Sequence, residues 1–137
     1  MKFQPDQLAG TNVITRHDAD ALWVGNATGN TRYQHSLLVP WHGAVRPWAP
    51  TRPADLTPAD FEALLALKPE LVIFGSGPRH QFVSPALLRA LIDHRIGVET
   101  MDTPAACRTY NVLVSEGRSA VAALLLTPSV AQKAGIP

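Results

Sequence analysis

The sequence predicts an α/β domain, and three observations carry that prediction. From about residue 55 onward, short apolar runs containing β-branched residues alternate with stretches of helical spacing. Before that point strand and turn signals dominate. A helix-start signal, Ser or Thr followed by Pro, recurs at Thr57-Pro58, Ser84-Pro85 and Thr103-Pro104. One domain over residues 1–137 is expected, β-rich over about 1–54 and alternating over about 55–128.

Taken in order, Ala21-Leu22-Trp23-Val24 and Tyr33-Gln34-His35-Ser36-Leu37-Leu38-Val39 read as two strands of a hairpin around a turn rich in Gly25, Asn26, Gly29 and Asn30. Arg16, His17, Asp18 and Asp20 read as a solvated turn without a catalytic role. Pro40, Pro47, Pro50 and Pro53 forbid a helix, so this stretch is expected to be an extended crossing segment or edge strand whose Trp41 and Trp48 cover a core face. Thr57 caps a first helix, with Pro58 and Asp60 in its first turn and Phe61, Leu64 and Leu65 on its apolar stripe, and Pro69 ends it. Leu71-Val72-Ile73-Phe74 is a continuous apolar run, the pattern of a strand buried on both faces, and the candidate for the central strand.

Ser84-Pro85 starts a second helix with Leu87, Leu88, Leu91 and Ile92 inward, and His94 and Arg95 at its negative end before Gly97. Gly97 to Met101 is a further strand, expected parallel to Leu71–Phe74 with a right-handed crossover between them. Thr103 then caps a third helix that carries Cys107, Tyr110, Asn111 and Val114 towards Gly117. Ser119 to Leu126 reads as a closing strand, because Gly117 and Pro128 leave it too short for a helix. The β-rich portion either extends this sheet or forms a small second layer.

Composition excludes several classes. Hydrophobic residues at 46% exclude disorder, and 137 residues suffice to bury well over half of the unfolded surface. The charged fraction of 17% lies below the roughly 25% of ordinary soluble domains, so part of the surface is uncharged or covered by a partner. A formal charge of +1 lacks the basic excess of nucleic-acid binders, and no nucleic-acid partner is expected. Cys107 is the single cysteine, which excludes an internal disulfide. The first residues, Met1 to Asp6, lack the apolar core of a signal peptide, and runs such as Val121 to Leu126 are too short to cross a bilayer. A cytoplasmic protein without a transmembrane segment is expected.

Gly75-Ser76-Gly77 follows a strand, but His80 stands where a dinucleotide fingerprint needs glycine, and no phosphate-binding P-loop exists. No cofactor is expected. His17, His35, His42, His80 and His94 are scattered and Cys107 has no cysteine partner at metal-ligand spacing, so no metal site is expected. Cys107 lies about one turn into the third helix beside Arg108, a setting that can lower a thiol pKa, but its place on the apolar stripe favours a core role. No residue is assigned to catalysis.

Ligands of such sheets bind at the carboxyl ends of the strands. That edge brings together Gly75, Ser76, Gly77, Arg79 and Asp102 with the third helix, where Arg108 offers a bidentate fork, Tyr110 a hydroxyl and Asn111 both donor and acceptor. One reading is a cleft for a small molecule or anion. The other pairs Arg108 with Asp102 or Glu99 and uses Asn111 to satisfy buried backbone. The residues leave both open.

The strings Lys68-Pro69-Glu70-Leu71-Val72-Ile73-Phe74-Gly75-Ser76-Gly77 and Gly97-Val98-Glu99-Thr100-Met101-Asp102-Thr103-Pro104-Ala105-Ala106-Cys107-Arg108-Thr109-Tyr110-Asn111-Val112-Leu113, with Ser36-Leu37-Leu38-Val39, Val45-Arg46-Pro47-Trp48 and Leu56-Thr57-Pro58, carry a resemblance over nearly the whole chain. It resembles a family of small bacterial and archaeal α/β proteins of unknown function related to mitochondrial respiratory complex I assembly factor 3. The resemblance implies a three-layer fold around a mixed five-stranded sheet. It also implies action through protein contacts, with respiratory-complex assembly intermediates as partners, and it assigns no catalytic residue. Ser76 stands where the family commonly has threonine, which keeps the hydroxyl, and Pro104 where it often has alanine.

Overall fold

The computed structural model describes residues 10–127. Val13–His17 (β1), Leu22–Asn26 (β2) and Gly29–Tyr33 (β3) form an antiparallel three-stranded sheet in that order. Leu37–Pro40 (β4), Arg46–Pro47 (β5), Leu71–Gly75 (β6), Gly97–Met101 (β7) and Ala120–Leu124 (β8) build a five-stranded sheet of order β5-β4-β8-β6-β7. β6 runs parallel to both β7 and β8, whereas β4 is antiparallel to β8 and to β5, so the sheet is mixed. Three helices complete the fold: Pro58–Glu62 (α1), Arg89–Asp93 (α2) and Thr103–Ser115 (α3).

The inner strands β4, β8 and β6 are buried on both faces, which explains their unbroken apolar runs. Leu37, Val39, Leu71, Ile73, Ala120, Ala122 and Leu124 face one core with Cys107, Tyr110 and Val114 of α3 and Ile14, Leu22 and Val24 of the small sheet. The alternate residues Leu38, Val72, Phe74, Val121 and Ala123 face a second core with Phe61 and Leu64 of the α1 segment and Leu91 of α2. Each buried Val, Leu, Ile or Phe among them contributes roughly 1.5–3 kcal/mol. The second core centres on Trp48, Phe61 and Phe74, whose rings meet edge to face at 5.6–6.0 Å, and Trp48 Nε1 donates to the Asp60 carbonyl at 3.2 Å. Small residues in β8 leave room for these rings on one face and for Tyr110 on the other.

Local signals are realised where they stand close in sequence. At α1 the Thr57 N–H and hydroxyl both donate to the Asp60 carboxylate, at 2.8 and 3.1 Å. The helix tightens into a 3-10 segment, Ala63–Leu67, and ends at Lys68, which takes φ 54° immediately before Pro69. Ser84 Oγ accepts the Ala86 N–H at the start of the second helical segment, whose first turn, Pro85–Leu88, is 3-10. Within the stretch expected as an extended crossing segment or edge strand, Arg46–Pro47 forms the edge strand β5. The closing strand is β8; the proline expected to stop it, Pro128, lies outside the described residues.

Five expectations are corrected. The hairpin pairs β2 with Gly29–Tyr33 across Ala27 and Thr28, whereas Leu37–Pro40 leaves for the large sheet, so Gly25, Asn26, Gly29 and Asn30, expected in the turn, are all strand. Arg16 and His17 belong to β1, and only Asp18–Asp20 make the turn, where the Asp18 carboxylate accepts the Asp20 and Ala21 N–H groups at 2.9 Å. The central strand is β8, with β6 beside it, because β4 adds to the far side of β8. The cap of α3 is Asp102, whose carboxylate accepts the Ala105 N–H at 2.8 Å, and Thr103 is the first helical residue. Ile92, expected inward, is 50% exposed, since the short α2 presents Leu91 to the core and turns the next residue outward.

Candidate functional site

The parallel strands β6, β7 and β8 bring their carboxyl ends to one edge, where α3 begins. Thr103 ties this edge together. Its Oγ1 accepts the Gly77 N–H at 2.9 Å and donates to the Leu125 carbonyl at 2.8 Å, while its own N–H donates to the Gly77 carbonyl at 2.8 Å. The closeness explains Gly75, since a Cβ there would lie 2.9 Å from Thr103 Cα and from its Oγ1. Gly77 adopts φ +107°, a conformation that strongly favours glycine.

Ser76 is fully buried and organises the following loop. Its hydroxyl lies 2.7 Å from the Arg79 carbonyl and 3.2 Å from that of Met101, and it accepts the Gln81 N–H at 3.0 Å. The Ser76 N–H donates to the Met101 carbonyl at 2.8 Å. The amides of Ser76, Gly77, Thr103 and Ala105 therefore all bond within the protein, Pro104 has no N–H, and the Asp102 carboxylate occupies the helix start. This edge presents no cradle of amides to an anion.

What it does form is a cavity of about 330 Å³. Gly77, Pro78, Thr103 and Pro104 make one wall, Leu125, Leu126 and Thr127 a second, and His17, Ala19 and Asp18 from the β1–β2 turn a third. The lining is mostly apolar. Such a pocket accepts an apolar group and offers hydrogen bonds from His17, Asp18 and Thr127.

Of the expected site residues, Gly77 lines the cavity, while Gly75, Ser76 and Asp102 shape its edge from within the protein. Arg79 and Arg108 are exposed. Arg108 forms no ion pair with Asp102 or Glu99 among the described residues, so that one of its two alternative roles is not realised. Tyr110 is fully buried, with its hydroxyl 2.8 Å from the Asn12 carbonyl and 3.0 Å from that of Pro40, and burial raises its pKa. The Asn111 side chain accepts the Ile14 N–H at 2.9 Å and donates to the Ile14 carbonyl at 2.8 Å, so both side chains serve the fold. His17, Asp18 and Ala19 could not be placed from sequence, because only the docking of the small sheet brings them to Leu125–Thr127.

Cys107 is fully buried, and desolvation pushes its thiol up to about 12 against the opposing charge of Arg108. That setting holds the thiol neutral, the opposite of an activated nucleophile. Among the described residues no group of three or more His, Cys, Asp or Glu side chains is placed to hold a metal ion. No helix of these residues is long and apolar enough to cross a membrane.

Comparison with known proteins adds the family context. The family described as protein of unknown function (DUF498/DUF598) matches residues 14–125. NADH dehydrogenase [ubiquinone] 1 alpha subcomplex assembly factor 3 of Bos taurus is 37% identical over 102 residues, 73% of this chain and 54% of that protein. Its Homo sapiens counterpart is 32% identical over 126 residues, 85% of this chain and 67% of that protein. The chain thus spans about half the length of the bovine relative. Among solved structures, a Bordetella parapertussis protein superposes with a TM-score of 0.78 at 35% identity, covering 86% of this chain and 98% of its own. A Bordetella pertussis protein described as an Mth938-like domain gives 0.74 at 30% identity, covering 93% and 94%.

Proposed function

We propose, from the premise that this chain belongs to the protein family of unknown function DUF498/DUF598, that it is an assembly factor acting through protein contacts on intermediates of a respiratory NADH dehydrogenase. The observation that carries this reading is the 37% identity, over 102 residues, to a protein named for that assembly role. The low charged fraction and the lack of an activated nucleophile or metal cluster among the described residues agree with binding rather than catalysis. The reading includes a cytoplasmic setting, in keeping with a buried, unpaired cysteine. The test is deletion of the gene in its own cell, followed by native electrophoresis of membrane complexes. Loss of assembled NADH dehydrogenase, restored by the wild-type chain in trans, is expected; an unchanged amount of assembled complex overturns the reading.

The cavity favours a second reading, a small-molecule binder at the edge where α3 begins. Its walls and the internally bonded amides argue for an apolar ligand over an anion. A thermal-shift screen tests it, since a ligand at a hundred times its dissociation constant adds about 2.7 kcal/mol of stability. A hit whose shift survives enlargement of Ala19 to Phe does not occupy this cavity.

A further inference from the structure

The two outer strands of the small sheet are treated differently. Pairing of Ile14 with Val24 turns the Ile14 N–H and C=O away from β2, and there the Asn111 side chain bonds both, as a neighbouring strand would. On the opposite edge, the alternation of the β2–β3 ladder turns the N–H and C=O groups of Asn30 and Arg32 outward. No main-chain or side-chain group among the described residues meets these four groups. Gly29 to Arg32 are all exposed.

The outward face beside this open edge carries positive charge. Arg16, Trp23 and Arg32 stand in register across the three strands. The guanidinium carbons lie 4.5 and 5.6 Å from the indole centroid, an arrangement that orients both cations on one ring. Arg16 pairs loosely with Asp18 at 3.9 Å, whereas Arg32, the arginine on the open edge, has no ion pair among the described residues.

We propose that the edge of β3 docks an extended, acidic segment of a partner protein. The segment adds a fourth strand by bonding the main chain of Asn30 and Arg32, and an outward carboxylate opposite Arg32 meets its guanidinium, with Arg16 adding positive charge from the far side of Trp23. The unpaired main-chain groups select an extended conformation, and the arginine row selects acidic side chains. A second copy of this chain would bring another arginine row to the same edge, which like-charge repulsion opposes. The inference is independent of the assembly reading, because its test needs no cellular partner.

The test uses the full-length chain labelled with nitrogen-15. The probe is an acetylated, amidated peptide alternating glutamate with valine; its lysine-valine counterpart and an oligothymidylate serve as competing ligands. The acidic peptide is expected to shift β3 amides, to slow solvent exchange at the Asn30 and Arg32 amides, and to bind at least tenfold more weakly after Arg32→Glu. Asn30→Pro removes an outward N–H and the acceptor of the Thr15 hydroxyl without removing a main-chain bond to β2, and is expected to abolish the exchange protection at the Arg32 amide in a chain whose spectrum shows it folded. Equal binding of the lysine peptide, shifts confined to another surface, binding of the oligothymidylate alone, dimerisation through β3, or no shift at millimolar peptide each overturns the proposal.

Discussion

Asn111 holds Ile14 by both of its main-chain groups, at 2.9 and 2.8 Å, across 97 positions of sequence. A helical side chain thereby closes the edge of a strand and joins the small sheet to α3. Asn111→Ala is expected to destabilise the protein by about 1 to 3 kcal/mol and to speed hydrogen exchange at the Ile14 amide before the rest of the sheet. Asn111→Asp keeps the acceptor but sets a carboxylate oxygen against the Ile14 carbonyl, so a loss at least as large is expected. Denaturant unfolding with amide exchange reads both effects.

Gly75 and Thr103 define a second contact that cannot relax by rotating a side chain, because one of the atoms 2.9 Å from the added Cβ is Thr103 Cα. Gly75→Ala is expected to cost about 1 to 3 kcal/mol through displacement of the α3 start. Thr103→Val keeps the shape but removes the acceptor of the Gly77 N–H and the donor to Leu125, with a loss of similar size. A valine variant as stable as wild type by thermal melting would show that these bonds do not hold the edge.

Cys107 should resist alkylation in the native state and react fully once unfolded. Its thiol is raised from the ordinary 9.0 to about 12, chiefly by burial. Its contribution to stability is therefore complete below about pH 9, and is lost as pH rises through about 12. Rapid iodoacetamide labelling of the folded chain at pH 8 would contradict this environment.

Glu70 links the starts of β6 and β8. Its carboxylate accepts the Ser119 N–H at 2.8 Å and the Arg118 Nε–H at 3.0 Å, and these bonds, the former foremost, lower its pKa. Because the folded value is depressed, the contribution is present above the ordinary glutamate range and fades as pH falls through the lower folded value. Carbon-13 titration should place Glu70 below a typical glutamate, and Glu70→Gln should remove part of the acid sensitivity. A Glu70 titrating with the ordinary exposed glutamates contradicts the bonds.

By itself, the sequence determined what depends on neighbours in the chain. The Thr57 and Asp60 cap, the ending at Pro69, the doubly buried run Leu71–Phe74 and the parallel strand Gly97–Met101 were legible because capping, proline sterics and apolar runs act within a few residues. Tertiary structure decided the rest. The polar β1 and β3 have no apolar alternation to announce them, and their pairing is set by inward Ile14, Leu22 and Val24 packing on α3. It likewise decided that Thr103 ties the edge while Asp102 caps the helix, that Tyr110 and Asn111 bond main chain 70 to 98 positions away, and that His17 meets Leu125 across the cavity. The physical reason is common to these cases: a polar side chain takes its partner from whatever packing brings within about 3 Å, and packing between distant segments leaves no local pattern.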